Sequence, residues 1–159
     1  MNAADVSKYG HGTVLQALEG LPPEAWETGG VCGVWSVKDI VAHLASYEQL
    51  LVEVLATLLE PGPTPYRDEF VAPGGGFNDR QVALRAGRGA EEVLAEYRDA
   101  NARVAGLLAR LPAETLREPG TLPWYGGEYA LDDFLVYMYY GHKREHCAQI
   151  AVYRDRLTP

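Results

Sequence analysis

What the sequence is short of narrows its class before any motif is read. It has two cysteines, Cys32 and Cys147, far apart and forming neither a CxxC pair nor a zinc-knuckle spacing. Two reduced thiols are expected, one of them a small core residue. A basic block is missing: 14 Lys+Arg stand against 22 Asp+Glu, for a formal charge of −8. Such a chain is badly suited to gripping phosphate backbones, so no nucleic-acid partner is expected. Long apolar runs are also absent. The longest, Leu50 to Leu59, is broken by Glu53 and too short to span a bilayer, so no membrane partner is expected. Residues 1–12 lack the charged start and apolar core of a signal peptide, which points to the cytoplasm. Isoleucine occurs only at positions 40 and 150, and few segments alternate with period two, so helices are favoured over strands.

What is present reads as one all-α domain over residues 1–159, with 47% apolar and 23% charged residues. A chain of this length buries roughly 70% of its unfolded surface and needs no staples. The first helix is expected over Asp5–Leu21, weakened by Gly10 and Gly12 and ended by Pro22 and Pro23. Ser36 as N-cap, with Asp39 three residues on, starts a second helix that runs to about Leu59. Its inward stripe is Ile40, His43, Tyr47, Leu50, Val54 and Leu58. The Pro/Gly-rich connection Pro61–Gly76 follows, then Asn78 with Gln81 as a capping box for a short helix over Asp79–Ala86. A third long helix covers Ala90–Leu111, its stripe interrupted by Asn101. After a loop from Pro112 to Ala130, a fourth runs over Leu131–Leu157. Its inward stripe is Leu131, Leu135, Met138, His142, His146 or Glu145, Gln149 and Tyr153. Four long amphipathic helices predict a four-helix bundle, with middle connections long enough for a crossover.

The side chains with chemistry to offer are four histidines, three of them on inward stripes. His142 and His146 stand four residues apart on one helix, so both rings can reach one point; such a pair is a natural chelate for a transition metal. His43 stands on a separate helix, and if the two helices are neighbours three imidazoles can converge. The competing reading of each is a hydrogen-bonded core histidine. Three buried imidazoles are nevertheless costly unless something satisfies them, and a metal does so. His142 to His146 also fits H-x-x-E-H, but the chain after His146 has no further Glu to complete an inverzincin site. Glu145 reads as a solvated flank charge, with a general base as the alternative. His11, in a Gly-x-Gly context, reads as surface or loop-like. The aromatics Trp124, Tyr125, Tyr129, Tyr139 and Tyr140 read as core, or as walls of a pocket.

Two segments resemble those of the DinB/YfiT-like metalloenzymes. Trp35-Ser36-Val37-Lys38-Asp39-Ile40-Val41-Ala42-His43-Leu44 is similar to that family's W-(S/T)-x-x-(D/E)-x-x-x-H-L segment. His142 to His146 followed by Gln149-Ile150 is similar to its H-x-x-x-H-x-x-Q-I segment, and Phe77-Asn78 to its inter-helix Asn. The similarity runs through nearly the whole chain in order and spacing. It implies a four-helix bundle of the DinB/YfiT-like type with a long crossover connection, often assembled as a homodimer. It also implies a divalent transition metal held by His43, His142 and His146, with zinc or nickel first and iron or manganese next. Relatives include transferases and isomerases that use a low-molecular-weight thiol, and a cyclopropane hydrolase. The mycothiol-dependent branch carries a Glu among its ligands, where this chain has three histidines.

A three-histidine site leaves coordination positions open. Zinc there lowers the pKa of water to ~7, and a thiol that binds is deprotonated. The first expectation is therefore a metal-dependent transferase joining a low-molecular-weight thiol cosubstrate to a small-molecule electrophile. The alternatives are a metal-dependent hydrolase at the same site and a noncatalytic metal- or ligand-binding stress-response protein.

Overall fold

The computed structural model describes residues 2–158, and among them there are helices but no strand, only one isolated bridge between Cys32 and Trp35. Four long helical segments make the bundle: α1 (Ala3–Leu18), α2 (Val37–Leu59), α5 (Ala90–Leu108) and a composite last helix. The composite is α7 (Leu131–Leu135), a π turn (Val136–Gly141) and α8 (His142–Leu157). Short helices α3 (Pro65–Val71), α4 (Phe77–Leu84) and α6 (Ala113–Arg117) lie in the connections, with a 3-10 turn at Pro23–Trp26. No described helix is long and apolar enough to cross a membrane.

Packing partners give the directions. Ile40 and Leu44 share one apolar cluster with Val93 and Tyr97, while Leu51 and Leu55 share a second with Val104 and Leu108, so α2 and α5 run parallel. On the other side of the bundle Gly10 lies against the Lys143 stem, and further along Arg154 donates to the carbonyls of Ala17 and Glu19. Helices α1 and α8 are therefore parallel to each other. They run opposite to α2, because His43 meets His142 and His146 while the Tyr139 hydroxyl donates to the Tyr47 carbonyl one turn on. The order is up, down, down, up, and residues 60–89 form the long crossover.

Local chemistry sets the helix starts. The Ser36 hydroxyl accepts from Asp39 N–H at 3.1 Å and the Asp39 carboxylate accepts from Ser36 N–H at 2.9 Å, closing the expected box. An equivalent pair, Asn2 with Asp5, starts α1 at Ala3 rather than at Asp5, and α1 stops at Leu18 rather than Leu21. The Pro61–Gly76 stretch, expected as loop, contains α3. Glu53, the charge that interrupts the apolar run of α2, caps it: its two carboxylate oxygens accept from the N–H groups of Tyr66 and Arg67 at 3.1 and 3.0 Å. The expected Asn78–Gln81 box does not form. Gly76, at φ 87°, is the N-cap of α4, and Asn78 lies inside the helix. Helix α5 ends at Leu108, three residues short of expectation, in a turn that carries Leu111 back onto the core.

The π turn changes the inward face of the last helix. It holds one residue more per turn than an α-helix, so the stripe after it moves on by one position. Leu131, Leu135 and Tyr139 are buried as the period requires, but the stripe then continues through Lys143, Cys147 and Ile150. His142 and Gln149, expected at its centre, are half-buried at its edge. Cys147 is the expected core thiol: burial pushes it up to about 11.

The crossover is held to α5 by a polar cluster. Arg85, 4% exposed, is bidentate to Glu96 at 2.6 and 2.9 Å and also donates to the Tyr66 hydroxyl and to Gln81.

Candidate metal centre

Three of the four histidines meet where the first two turns of α2 cross the start of α8. His43 Nε2 lies 2.8 Å from His142 Nε2, which lies 3.0 Å from His146 Nε2. The three rings are 4.7–5.0 Å apart between centroids and steeply tilted to one another. His43 is 2% exposed and His146 6%. Trp35, set by the tight Val31–Trp35 loop, packs on the His43 ring at 4.9 Å. Tyr47, one turn along α2, packs on both His43 (4.8 Å) and His142 (4.6 Å) and donates its hydroxyl proton to Asn78 Oδ1.

The outer nitrogens determine what the inner ones offer. His146 Nδ1 is 2.8 Å from Gln149 Oε1, an acceptor, so Nδ1 carries the proton and Nε2 a lone pair. His142 Nε2 lies between the other two Nε2 atoms, 2.8 Å from that of His43 and 3.0 Å from that of His146. Because His146 Nε2 has no proton, in neither tautomer of a neutral His142 are both the 2.8 and the 3.0 Å contacts two-centre hydrogen bonds. The opposite side of the His43 ring, Nδ1, is buried with no partner. A cation at the centre resolves the conflict, and three imidazole nitrogens are a donor set suited to a divalent transition metal. Donors of a tetrahedral zinc stand about 3.3 Å apart, a few tenths of an ångström more than the 2.8 and 3.0 Å of the two close pairs. The three residues together could hold a metal ion.

Electrostatics point the same way. Burial, then the neighbouring imidazoles, push the His43 pKa down to about 2. Burial, then His146 and Lys143, push His142 down to about 4. Burial also lowers His146, opposed by the Gln149 hydrogen bond and Glu145. The rings are therefore neutral at physiological pH, the form that ligates.

Two cavities open beside the cluster, on either side of Tyr47. One, of about 330 Å³, is lined by Tyr47, Tyr137, Met138, Gly141, His142 and Glu145. The other, of about 370 Å³, lies among Trp35, Tyr47, Phe70, Gly76, Phe77 and Asn78. Glu145 is exposed and makes no ion pair among the described residues. Of the aromatics read as core or as walls of a pocket, three pack into the apolar interior. Trp124 and Tyr125 pack on Phe134 at 5.5 and 4.8 Å, Tyr139 is in the core, and Tyr140 lies over Arg144.

His11 corrects the expectation of a surface or loop residue. It lies inside α1, stacked on Tyr97 at 5.1 Å with Nδ1 buried, and takes no part in the cluster. Gly10 and Gly12 do not break the helix, and Gly10 lets α8 approach closely. Asn101, which interrupts the α5 stripe, donates to Glu48 Oε2 at 3.1 Å. Glu48 and Lys143 are buried charges on the long helices that reading by period missed, because a charged residue in an amphipathic helix ordinarily marks the solvent face.

Comparison with solved structures gives the same architecture. A protein from Streptococcus pneumoniae, known from a crystal structure, superposes with a TM-score of 0.73 over 98% of this chain and 91% of its own, at 10% sequence identity. That likeness shows the fold alone. No curated protein matches the sequence. The family model of the DinB superfamily matches residues 10–150, a span that contains all three clustered histidines, Tyr47 and Gln149. By that match the chain belongs to the DinB superfamily.

Proposed function

We propose that this protein is a divalent-metal-dependent enzyme that transfers a low-molecular-weight thiol to a small electrophile, using His43, His142 and His146 as metal ligands. The observation that carries the reading is the meeting of the His43, His142 and His146 Nε2 atoms at 2.8 and 3.0 Å, closer contacts than neutral rings can satisfy with two-centre hydrogen bonds. A divalent ion there supplies Lewis acidity, which lowers the pKa of a thiol or a water that reaches it. The chain's own residues do the rest. Gln149 holds the His146 ring in the ligating tautomer. Trp35 and Tyr47 exclude water from the His43 side and wall the cavities where two small molecules can lie against the centre. Glu145, on the cavity that His142 also lines, stands where it can take the thiol proton as the sulfur–carbon bond forms. The leaving group, or the carbanion of an opened double bond, then receives a proton in turn.

The same carboxylate beside the same centre also suits activation of water, and a hydrolase is the second reading. The two separate on thiol dependence. Purified protein loaded with zinc, nickel, iron or manganese is offered generic electrophiles with and without small thiols. Turnover that requires thiol supports the transferase, turnover without thiol supports the hydrolase, and none with any pair leaves a noncatalytic binding protein of the stress response. We place the protein in the cytoplasm as a one-domain homodimer, which light scattering tests.

A further inference from the structure

Between the two apolar clusters lies a polar layer that all four long helices border. Glu48 on α2 and Lys143 on α8 pair at 2.5 Å, with side chains 0% and 3% exposed. Asn101 on α5 donates to the second Glu48 oxygen at 3.1 Å. The Lys143 stem runs past Gly10 of α1, where an added Cβ would stand 3.3 Å from Lys143 Cδ, and its ammonium lies 5.6 Å from the centre of the Tyr97 ring. The pair is embedded in the helices that carry the histidines. Lys143 directly follows His142, and Glu48 directly follows Tyr47, five positions after His43.

A buried ion pair is weak evidence for stability, since apolar residues of similar volume commonly serve as well. Its best-attested use is to specify register: a charge that has one partner in the interior permits one axial position and one rotation of its helix. That specification is needed here. The π turn leaves the phase of α8 free of the period set by Leu131 and Leu135, and a slip or a small rotation would carry His142 and His146 away from His43. We infer that Lys143 and Glu48 are positioning residues for the three-histidine centre, locking α8 against α2 at the register where the rings meet.

The metal arm of the test rests on the proposed function; the ring-contact arm does not. The double variant E48Q/K143M removes both charges and keeps the length of each side chain and the Asn101 partner. In metal-free protein, through-space NMR contacts between the His43 and His142 rings should be present in the parent and lost or averaged in the variant, with helicity kept. Cobalt(II) affinity should fall at least tenfold, with a changed visible spectrum of the bound ion. L55A, a core truncation in the apolar cluster beyond, should lower the melting temperature and leave the cobalt spectrum as in the parent. If E48Q/K143M does not fold, E48D, which keeps the charge and withdraws it by one methylene, is measured in its place with the same expected direction. Parental ring contacts and parental cobalt affinity in the variant would overturn the assignment. If the parent itself takes up no cobalt, the metal reading falls, and the ring contacts alone decide the lock: lost in the variant they support it, retained they end it.

Discussion

Gln149 Oε1 lies 2.8 Å from His146 Nδ1, and that contact decides which nitrogen of the ring faces the centre. Replacing Gln149 with Leu removes the acceptor and frees the ring to turn or to change tautomer. The affinity for zinc, read by competition with a chromophoric chelator, should fall about 10–100-fold, while the far-ultraviolet circular dichroism stays that of the parent.

His43→Ala, His142→Ala and His146→Ala should each lower metal stoichiometry or weaken affinity severely. His11→Ala should leave both unchanged, because His11 stacks on Tyr97 and is not one of the three converging rings. Metal should also raise the melting temperature of the parent and of H11A but not of the three ligand variants. At a free concentration 100 times the dissociation constant, the gain is about 2.7 kcal/mol. Retention of full affinity by H43A would remove His43 from the site.

The Arg85–Glu96 cluster predicts a component of acid sensitivity. Burial acts to raise the Glu96 carboxyl, but hydrogen bonds and charge from Arg85, with help from Gln49 and Arg88, outweigh it and hold the pKa below the usual carboxylate value. The folded pKa being lower than the unfolded one, this stabilisation is present above the ordinary glutamate range near ~4.3 and is lost as pH falls through the folded value. Glu96→Gln should lower stability at neutral pH by about 1.5–3 kcal/mol, the worth of hydrogen bonds to a charged group. It should also flatten the loss that sets in as pH falls below the ordinary glutamate range. Urea unfolding at several pH values checks both, and an unchanged pH profile would count against the pairing.

Glu145→Gln separates proton transfer from metal binding. Turnover should fall about 10²–10⁴-fold, the usual worth of a positioned acid or base, with metal affinity within a factor of about two. Equal turnover in the variant would return Glu145 to the role of a solvated surface charge.

The sequence made the centre legible and the interior around it less so. His43 follows from the Ser36–Asp39 box, which fixes where α2 begins and hence which face position 43 occupies. His142 and His146 share a face under any helical period. The π turn, however, leaves no mark on composition, so extending an ideal 3.6 period through it put His142 and Gln149 at the middle of the stripe and left Lys143 unnoticed. Asn78 before a short helix satisfies every N-cap rule, yet Gly76 takes the cap, because a left-handed residue two positions earlier turns the chain sooner. Helix α3 hides in a proline-rich stretch because its cap, Glu53, is supplied from a neighbouring helix rather than from adjacent sequence.

His43 and His142 are 99 positions apart in the chain and 2.8 Å apart in space. An ion shared by them makes the crossover, α5 and the second long connection into a closed ring. For a covalent link, closing a loop of about 100 residues removes chain entropy worth roughly 4.7 kcal/mol from the unfolded ensemble, and a coordinate clip approaches that value while it holds. The mechanics of the loaded protein follow. Pulled by its two ends, it should first extend only the α1 side of His43 and the segment after His146, while the length inside the ring stays hidden. A second, larger extension should come when the clip opens, and a chelator in the bath should merge the two steps into one.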